Sequence, residues 1–255
     1  MTASTRSVVI AGGTSGVGLA TAHRFAEDGA RVVLVGRNAE RGEKACAAVR
    51  AAVPGAEVHF VAGDVDEPAV AVATAVAAHD LVGAVDVLVN STSAAYVPRL
   101  LRDTPIEDMA AMLTGQALGP LHMSRALLPG MVEQRRGVII NVASDAAKVP
   151  TPGETVIGAA MAAIVTFTRT LALEAKRDGI RVNAVTPSLI EGTATGERVL
   201  GDGFSRKLFE KARTQAHLGP TEPDDLADLI VFLAGPGAAR ITGQVISVNG
   251  GISVA

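Results

Sequence analysis

Three glycines near the start of the chain are spaced to hold a phosphate. Gly12, Gly16 and Gly18 follow the apolar run Val8-Val9-Ile10-Ala11 and precede an Ala-rich stretch. A chain that turns sharply, lets a pyrophosphate approach its backbone and then starts a helix facing that phosphate needs glycine at such positions. A plain tight turn would take glycines too. The placement, after a strand and before an apolar helix, favours the nucleotide site. It assigns Gly12, Thr14, Ser15, Gly16, Val17 and Gly18 to cofactor binding. The next apolar run ends Val35-Gly36-Arg37. An acid at this edge would bond the ribose hydroxyls of NAD, whereas an arginine accommodates the 2′-phosphate of NADP. Arg37 therefore points to NADP(H) ahead of NAD(H), the alternative being a solvated loop arginine.

Groups able to move a proton are few. The chain has one tyrosine, Tyr96, in a loop after the fourth apolar run, where packing or a surface turn competes with a ligand contact. Ser144, Asp145 and Lys148 cluster after the fifth run; the last two also read as a solvated loop pair. His122 would be the best remaining acid–base group by its ordinary pKa. Its place within a helical stretch suits packing better. No metal-ligand set is read.

Positioning these residues requires a particular frame. Short β-branched runs alternate with Ala-rich helical stretches: Val8–Ala11, Val32–Val35, Val58–Val61, Val85–Val89, Gly137–Val142, Ile180–Val185 and Gln244–Val248. Continuous apolar runs suit parallel strands buried on both faces. The expected fold is α/β, a Rossmann-like doubly wound seven-stranded parallel sheet in a single domain over 1–255. The stretch 187–217 looks least regular. It follows a strand's carboxyl end and is expected to be a substrate lid.

Composition narrows the function classes. The 255 residues hold 23 basic and 26 acidic side chains, a net charge of −3. That balance gives no footprint for nucleic acid or an anionic membrane. No apolar run reaches the roughly 18–20 residues that span a bilayer. The polar N-terminus lacks the apolar stretch of a signal peptide. Cys46 is the only cysteine, so no intrachain disulfide forms. A cytoplasmic location is expected.

The segment Ser144 to Ala163 resembles the active-site segment of the short-chain dehydrogenase/reductase family, in which a serine precedes Pro-Gly and then Tyr-x-x-x-Lys. Here Ser144 and Pro152-Gly153 stand in place, but the tyrosine slot reads Ile157 and the lysine slot Met161. The flanking Thr166-Phe167-Thr168-Arg169-Thr170-Leu171-Ala172-Leu173-Glu174 fixes the alignment. The resemblance runs nearly the whole length: the glycine turn, Gly63-Asp64-Val65 at the adenine contact, Asn90 in an otherwise altered Asn-Asn-Ala-Gly motif, Arg181-Val182-Asn183-Ala184-Val185-Thr186-Pro187, and Ile241-Thr242-Gly243 with the strand beyond. Asn90 also reads as a turn asparagine. The resemblance implies cofactor contacts at Asp64, Val65, Asn90 and Pro187. It places Gln116 in the slot of a water-anchoring asparagine. It implies a substrate pocket lined by Ser144, Asp145, Ile157, Met161 and Tyr96.

In the family, the tyrosine exchanges a proton with the substrate oxygen, the lysine lowers its pKa and holds the nicotinamide ribose, and the serine polarises the carbonyl. Isoleucine has no titratable proton and methionine no charge. Of the catalytic set only Ser144 and Gln116 carry polar side chains. Three readings follow: an NADP(H)-binding pseudoenzyme or partner subunit of an active relative; a diverged NADPH-dependent oxidoreductase acting on a carbonyl or hydroxyl of an apolar substrate; and a non-redox isomerase, lyase or cyclase using the same pocket. The first is preferred. The resemblance implies a dimer or tetramer, with itself or with an active relative, through helices near 105–131 and 153–177. Leu118, Leu121, Ala126, Leu127, Ala159, Ala163 and Phe167 are expected to supply its apolar surface.

Overall fold

The computed structural model describes residues 5–255. Seven parallel strands form one sheet: β1 (Ser7–Ala11), β2 (Arg31–Gly36), β3 (Val58–Ala62), β4 (Val87–Asn90), β5 (Gly137–Val142), β6 (Ile180–Pro187) and β7 (Val245–Val248). Their spatial order is β3-β2-β1-β4-β5-β6-β7. Between them run α1 (Gly16–Glu27), α2 (Ala39–Ala52), α3 (Pro68–Val82), α4 (Met109–Gln134) and α5 (Thr155–Ala175). Three more helices lie between β6 and β7: α6 (Ala194–Gly201), α7 (Gly203–Arg213) and α8 (Pro223–Ala234).

Successive strand residues point to opposite faces, which explains the unbroken apolar runs. Val8, Ile10, Val32, Leu34 and Val89 pack with Phe25 of α1 and with Leu226, Ile230 and Leu233 of α8. Val9, Ala11, Val33, Val35, Leu88 and Ile139 pack on the other face with Met123 and Met131 of α4 and with Leu171 of α5. Strand order reverses between β1 and β4, and such a switch point opens a crevice at the carboxyl ends of the strands. The glycine turn, Arg37, Asp64, Ser144 and Pro187 lie there.

Some expectations change. The fourth strand begins at Val87, two residues later than its apolar run, and Asp86 before it accepts the Ser7 N–H through its side chain at 3.0 Å. The stretch 187–217 is not irregular: Pro187 closes β6, and α6 and α7 fill much of the remainder. Thr193 and Asp202 side chains accept backbone N–H bonds that start those helices. Leu127 is not interface surface; it is 7% exposed and belongs to the core under the sheet. Ala159 and Ala163 are exposed, while Leu118, Leu121, Ala126 and Phe167 are half-buried. One helix, Thr155–Asp178, is after all long and apolar enough to cross a membrane by composition. Half of its most apolar window is buried within the fold, where Ile164, Val165, Leu171 and Ala172 pack in the core.

Candidate functional site

A cavity of about 480 Å³ opens at the carboxyl ends of the strands. At one end is the turn from β1 into α1. Gly12 has φ +80°, and a Cβ there would lie 2.6 Å from the Ser91 carbonyl carbon and 2.8 Å from the Thr92 nitrogen. The turn can pass β4 this closely only as glycine. Gly16, at φ +51°, opens α1. Ser15 precedes it without a side-chain cap, so the first N–H groups of the helix are left for another acceptor. The Thr92 hydroxyl, on the same wall, is buried without a partner. This cradle fits a pyrophosphate. Gly12, Thr14, Ser15, Gly16 and Val17 all line it. Gly18 does not; its missing Cβ lets α1 pack against the Gly12 carbonyl.

Arg37, Asp64 and Val65 line the same cavity. Arg37 reaches Asp64 at 3.8 Å, and its side chain is 61% exposed. Two residues join them that the sequence reading did not single out. Arg41, four residues after Arg37, lies in the first turn of α2, and Asp66 faces the cavity from the β3 loop. Burial and then the Asp64 charge hold the Asp66 carboxyl above its usual range. Arg41 had a legible signal, a second base four residues from the first. Asp66 had none, because Gly119 of α4 packs against it from across the fold.

Asn90 sits beneath the cavity rather than on its wall. Fully buried, its amide donates to Asn141 Oδ1 at 2.8 Å, and Asn141 donates to Thr168 Oγ1 at 2.8 Å. These bonds tie β4 to β5 and α5. The turn reading of Asn90 is thereby replaced by a sheet-bracing one. His122 packs as expected, its Nδ1 lying 3.1 Å from the Val65 carbonyl.

The other end of the cavity holds the catalytic segment. Ser144, Ile157, Met161, Tyr96, Gln116 and Pro187 line it. Ile157 and Met161 are 8% and 7% exposed and pack with Met112, Ala160 and Tyr96. The wall where the family carries a phenol and an ammonium is hydrocarbon and thioether. Ser144 Oγ accepts the Ala146 N–H at 3.2 Å, which leaves its proton free to donate. Gln116 is 5% exposed. Its Oε1 accepts the Ala94 N–H at 3.3 Å and its Nε2 lies 3.5 Å from the Ala94 carbonyl. Both ends of the amide are spent on the loop after β4.

Asp145 is the clearest correction. It is absent from the cavity wall and is no solvated loop acid. Its carboxylate accepts from Ser247 at 3.1 Å, from Ser253 at 3.0 Å, and from the Asn249 amide. Lys148 Nζ stands 3.7 Å away, and the two side chains are only 8% and 10% exposed. Lys148 also donates to the Ala255 carbonyl at 2.7 Å. Burial lowers the ammonium's pKa while Asp145 acts to raise it. The pair pins the chain's C-terminal residues to the β5 loop.

A missed residue stands on the cavity wall instead. Glu154 directly precedes α5. Burial pushes its carboxyl up to about 7, opposed by the Thr151 hydroxyl and reinforced by the Asp145 charge. Nothing in the local sequence marks it, since a glutamate before a helix reads as a cap. It caps no N–H here.

Comparison with known proteins agrees with this frame. A family model described as Enoyl-(Acyl carrier protein) reductase matches residues 11–253. The chain is 33% identical over 226 residues to the inactive 2-(S)-hydroxypropyl-CoM dehydrogenase 2 of Xanthobacter autotrophicus, covering 88% of this chain and 96% of that one. It superposes on levodione reductase with a TM-score of 0.91 at 29% identity, over 96% of each chain. The NADPH-bound short-chain oxidoreductase of Pseudomonas aeruginosa PAO1 containing an atypical catalytic center aligns with a TM-score of 0.83 at 30% identity, over 98% of this chain and 97% of that one. With its glycine turn, its strand order and its altered catalytic segment, the chain belongs to the short-chain dehydrogenase/reductase family.

Proposed function

We propose that this protein binds NADP(H) and has lost the tyrosine–lysine carbonyl chemistry of its family, serving as a scaffold or as partner subunit to an active relative. The observation that carries the reading is the hydrocarbon and thioether wall at Ile157 and Met161. The cofactor supplies hydride chemistry when bound. This chain's residues offer backbone donors at the glycine turn, Arg37 and Arg41 toward a 2′-phosphate, and Asp64 and Val65 at the adenine end. None of the wall residues in the tyrosine and lysine slots can deliver a proton to a developing alkoxide. A positioned general acid contributes about 10²–10⁴ in rate. A relative whose name calls it inactive supports the same direction. A location in the cytoplasm, a homo- or hetero-oligomer and a lid role for 187–217 complete this reading.

A second reading, a diverged oxidoreductase on an apolar carbonyl or hydroxyl compound, draws on Ser144, whose hydroxyl proton is free on the cavity wall. One experiment separates the two. NADPH and NADH are titrated by calorimetry, and the complex is then offered a panel of apolar ketones. Tighter NADPH binding without turnover supports the first reading; turnover lost in Ser144→Ala supports the second. Equal or tighter NADH binding rejects the NADP preference, and no binding of either nucleotide rejects the site.

A further inference from the structure

We propose that Glu154 makes this pocket select the oxidised form of a nicotinamide nucleotide over the reduced form, and increasingly so as pH rises. The inference rests on the nucleotide reading above. Glu154 directly precedes α5, Ile157 and Met161 stand four residues apart on it, and all three line the cavity with Ser144. In the family this face carries an ammonium. Here that position is uncharged, and a carboxyl stands three residues before the tyrosine slot. With the lysine charge gone and Glu154 present, the ionised form of this face favours a cation.

The surroundings give that carboxylate the Thr151 hydroxyl but no counter-ion. Among the described residues Glu154 enters no ion pair; Lys148, six residues earlier, is taken by Asp145 and the Ala255 carbonyl. Asp145, in the turn behind, has the same sign as Glu154. From the loop after β4, Arg99 donates its backbone N–H to the Gly153 carbonyl at 2.8 Å, and its side-chain charge acts on Asp202. From the lid, Phe204 packs on Gly153, Asp202 is occupied capping α7, and Arg198 lines the cavity without bonding Glu154. A half-buried carboxylate without a counter-ion gains from a cationic ligand.

The two redox forms of a nicotinamide nucleotide carry the same phosphates. They differ by one positive charge, on the ring. A neutral carboxyl treats them alike and an ionised one favours the oxidised form. Burial places the carboxyl's titration near neutrality, at about 7. Arg37, Arg41, Asp64 and Asp66 lie toward the part common to both forms, so their contribution cancels in the ratio of the two dissociation constants.

The test is that ratio, reduced over oxidised, measured by calorimetry at pH 5.5, 7 and 8.5 for NADPH and NADP⁺ and for NADH and NAD⁺. The ratio is expected to rise about tenfold across this range, the size of a one-unit shift in a coupled pKa. In Glu154→Gln it is expected to stay flat. Met161→Lys, which leaves Glu154 intact and restores a cation to the face, is expected to lower the ratio at pH 8.5. A flat ratio in the unmodified protein, or the same rise in Glu154→Gln, overturns the proposal while leaving the nucleotide site standing. Absence of binding by every nucleotide overturns both.

Discussion

Replacing Gly12 by alanine tests whether the glycine turn is built for close passage or merely tolerates glycine. Two separate costs are expected. Gly12 sits at φ +80°, and an L side chain in the left-handed region costs about 1–2 kcal/mol. The new Cβ would also fall 2.6 Å from the Ser91 carbonyl carbon and 2.8 Å from the Thr92 nitrogen. Both are backbone atoms that cannot rotate away, and forced overpacking of this kind adds about 1–3 kcal/mol. Gly29 provides the control. It has φ +73° but nothing within 4 Å of its Cβ position. Gly29→Ala should therefore show the conformational cost alone. At about 2–4 °C per kcal/mol for a chain of this size, Gly12→Ala should melt several degrees below Gly29→Ala. It should also lose nucleotide binding, which Gly29→Ala keeps. Differential scanning calorimetry and nucleotide titration read both effects. Equal melting temperatures, or full binding by Gly12→Ala, would refute the reasoning.

Arg37→Asp should reverse the nucleotide preference, weakening NADPH about tenfold or more through loss of a charge-assisted contact, as read by competition titration. Asp145→Ala should destabilise the fold by about 3–5 kcal/mol, because it strips Ser247, Asn249 and Ser253 of an acceptor and leaves Lys148 buried and unpaired; urea denaturation measures it. Stability should depend on pH through Glu154. Its carboxyl rises from the ordinary 4.5 to about 7 on folding, so between those values the native state binds more protons than the unfolded chain, and stability falls as pH rises across that window. The full loss is at most about 3 kcal/mol. The difference between the unmodified protein and Glu154→Gln isolates this slope from that of Asp66, which has the same sign.

Much of this architecture can be read from the chain itself. The strands are legible because both faces of the sheet are covered, so Val8-Val9-Ile10 and Val138-Ile139-Ile140 show no alternation to confuse with a helix. The glycine turn is legible because its requirement is local: a sharp turn, a close approach and a helix start. The loss at Ile157 and Met161 is legible because the flanking residues fix their positions. What escaped depends on contacts far apart in sequence. Asp145 reads as a loop acid until Ser247, Asn249 and Ser253 arrive from the C-terminal end, about a hundred residues away. Leu127 reads as helix surface until β4 and β5 show which side of α4 faces the sheet. Glu154 reads as a helix cap, and only the cavity around it turns it into a titrating group. The helices α6 and α7 were hidden by short length and mixed composition, which local capping by Thr193 and Asp202 overcomes.

The central claim is that the nucleotide site has outlived the proton-transfer chemistry. It is tested most directly by forming the NADPH complex of the unmodified protein, adding an apolar ketone in excess, and following the reduced nucleotide by its fluorescence over many minutes. The expected trace is flat, with NADPH bound and unconsumed, while Ile157→Tyr with Met161→Lys under identical conditions shows NADPH oxidation. Stoichiometric consumption of NADPH by the unmodified protein would contradict the account.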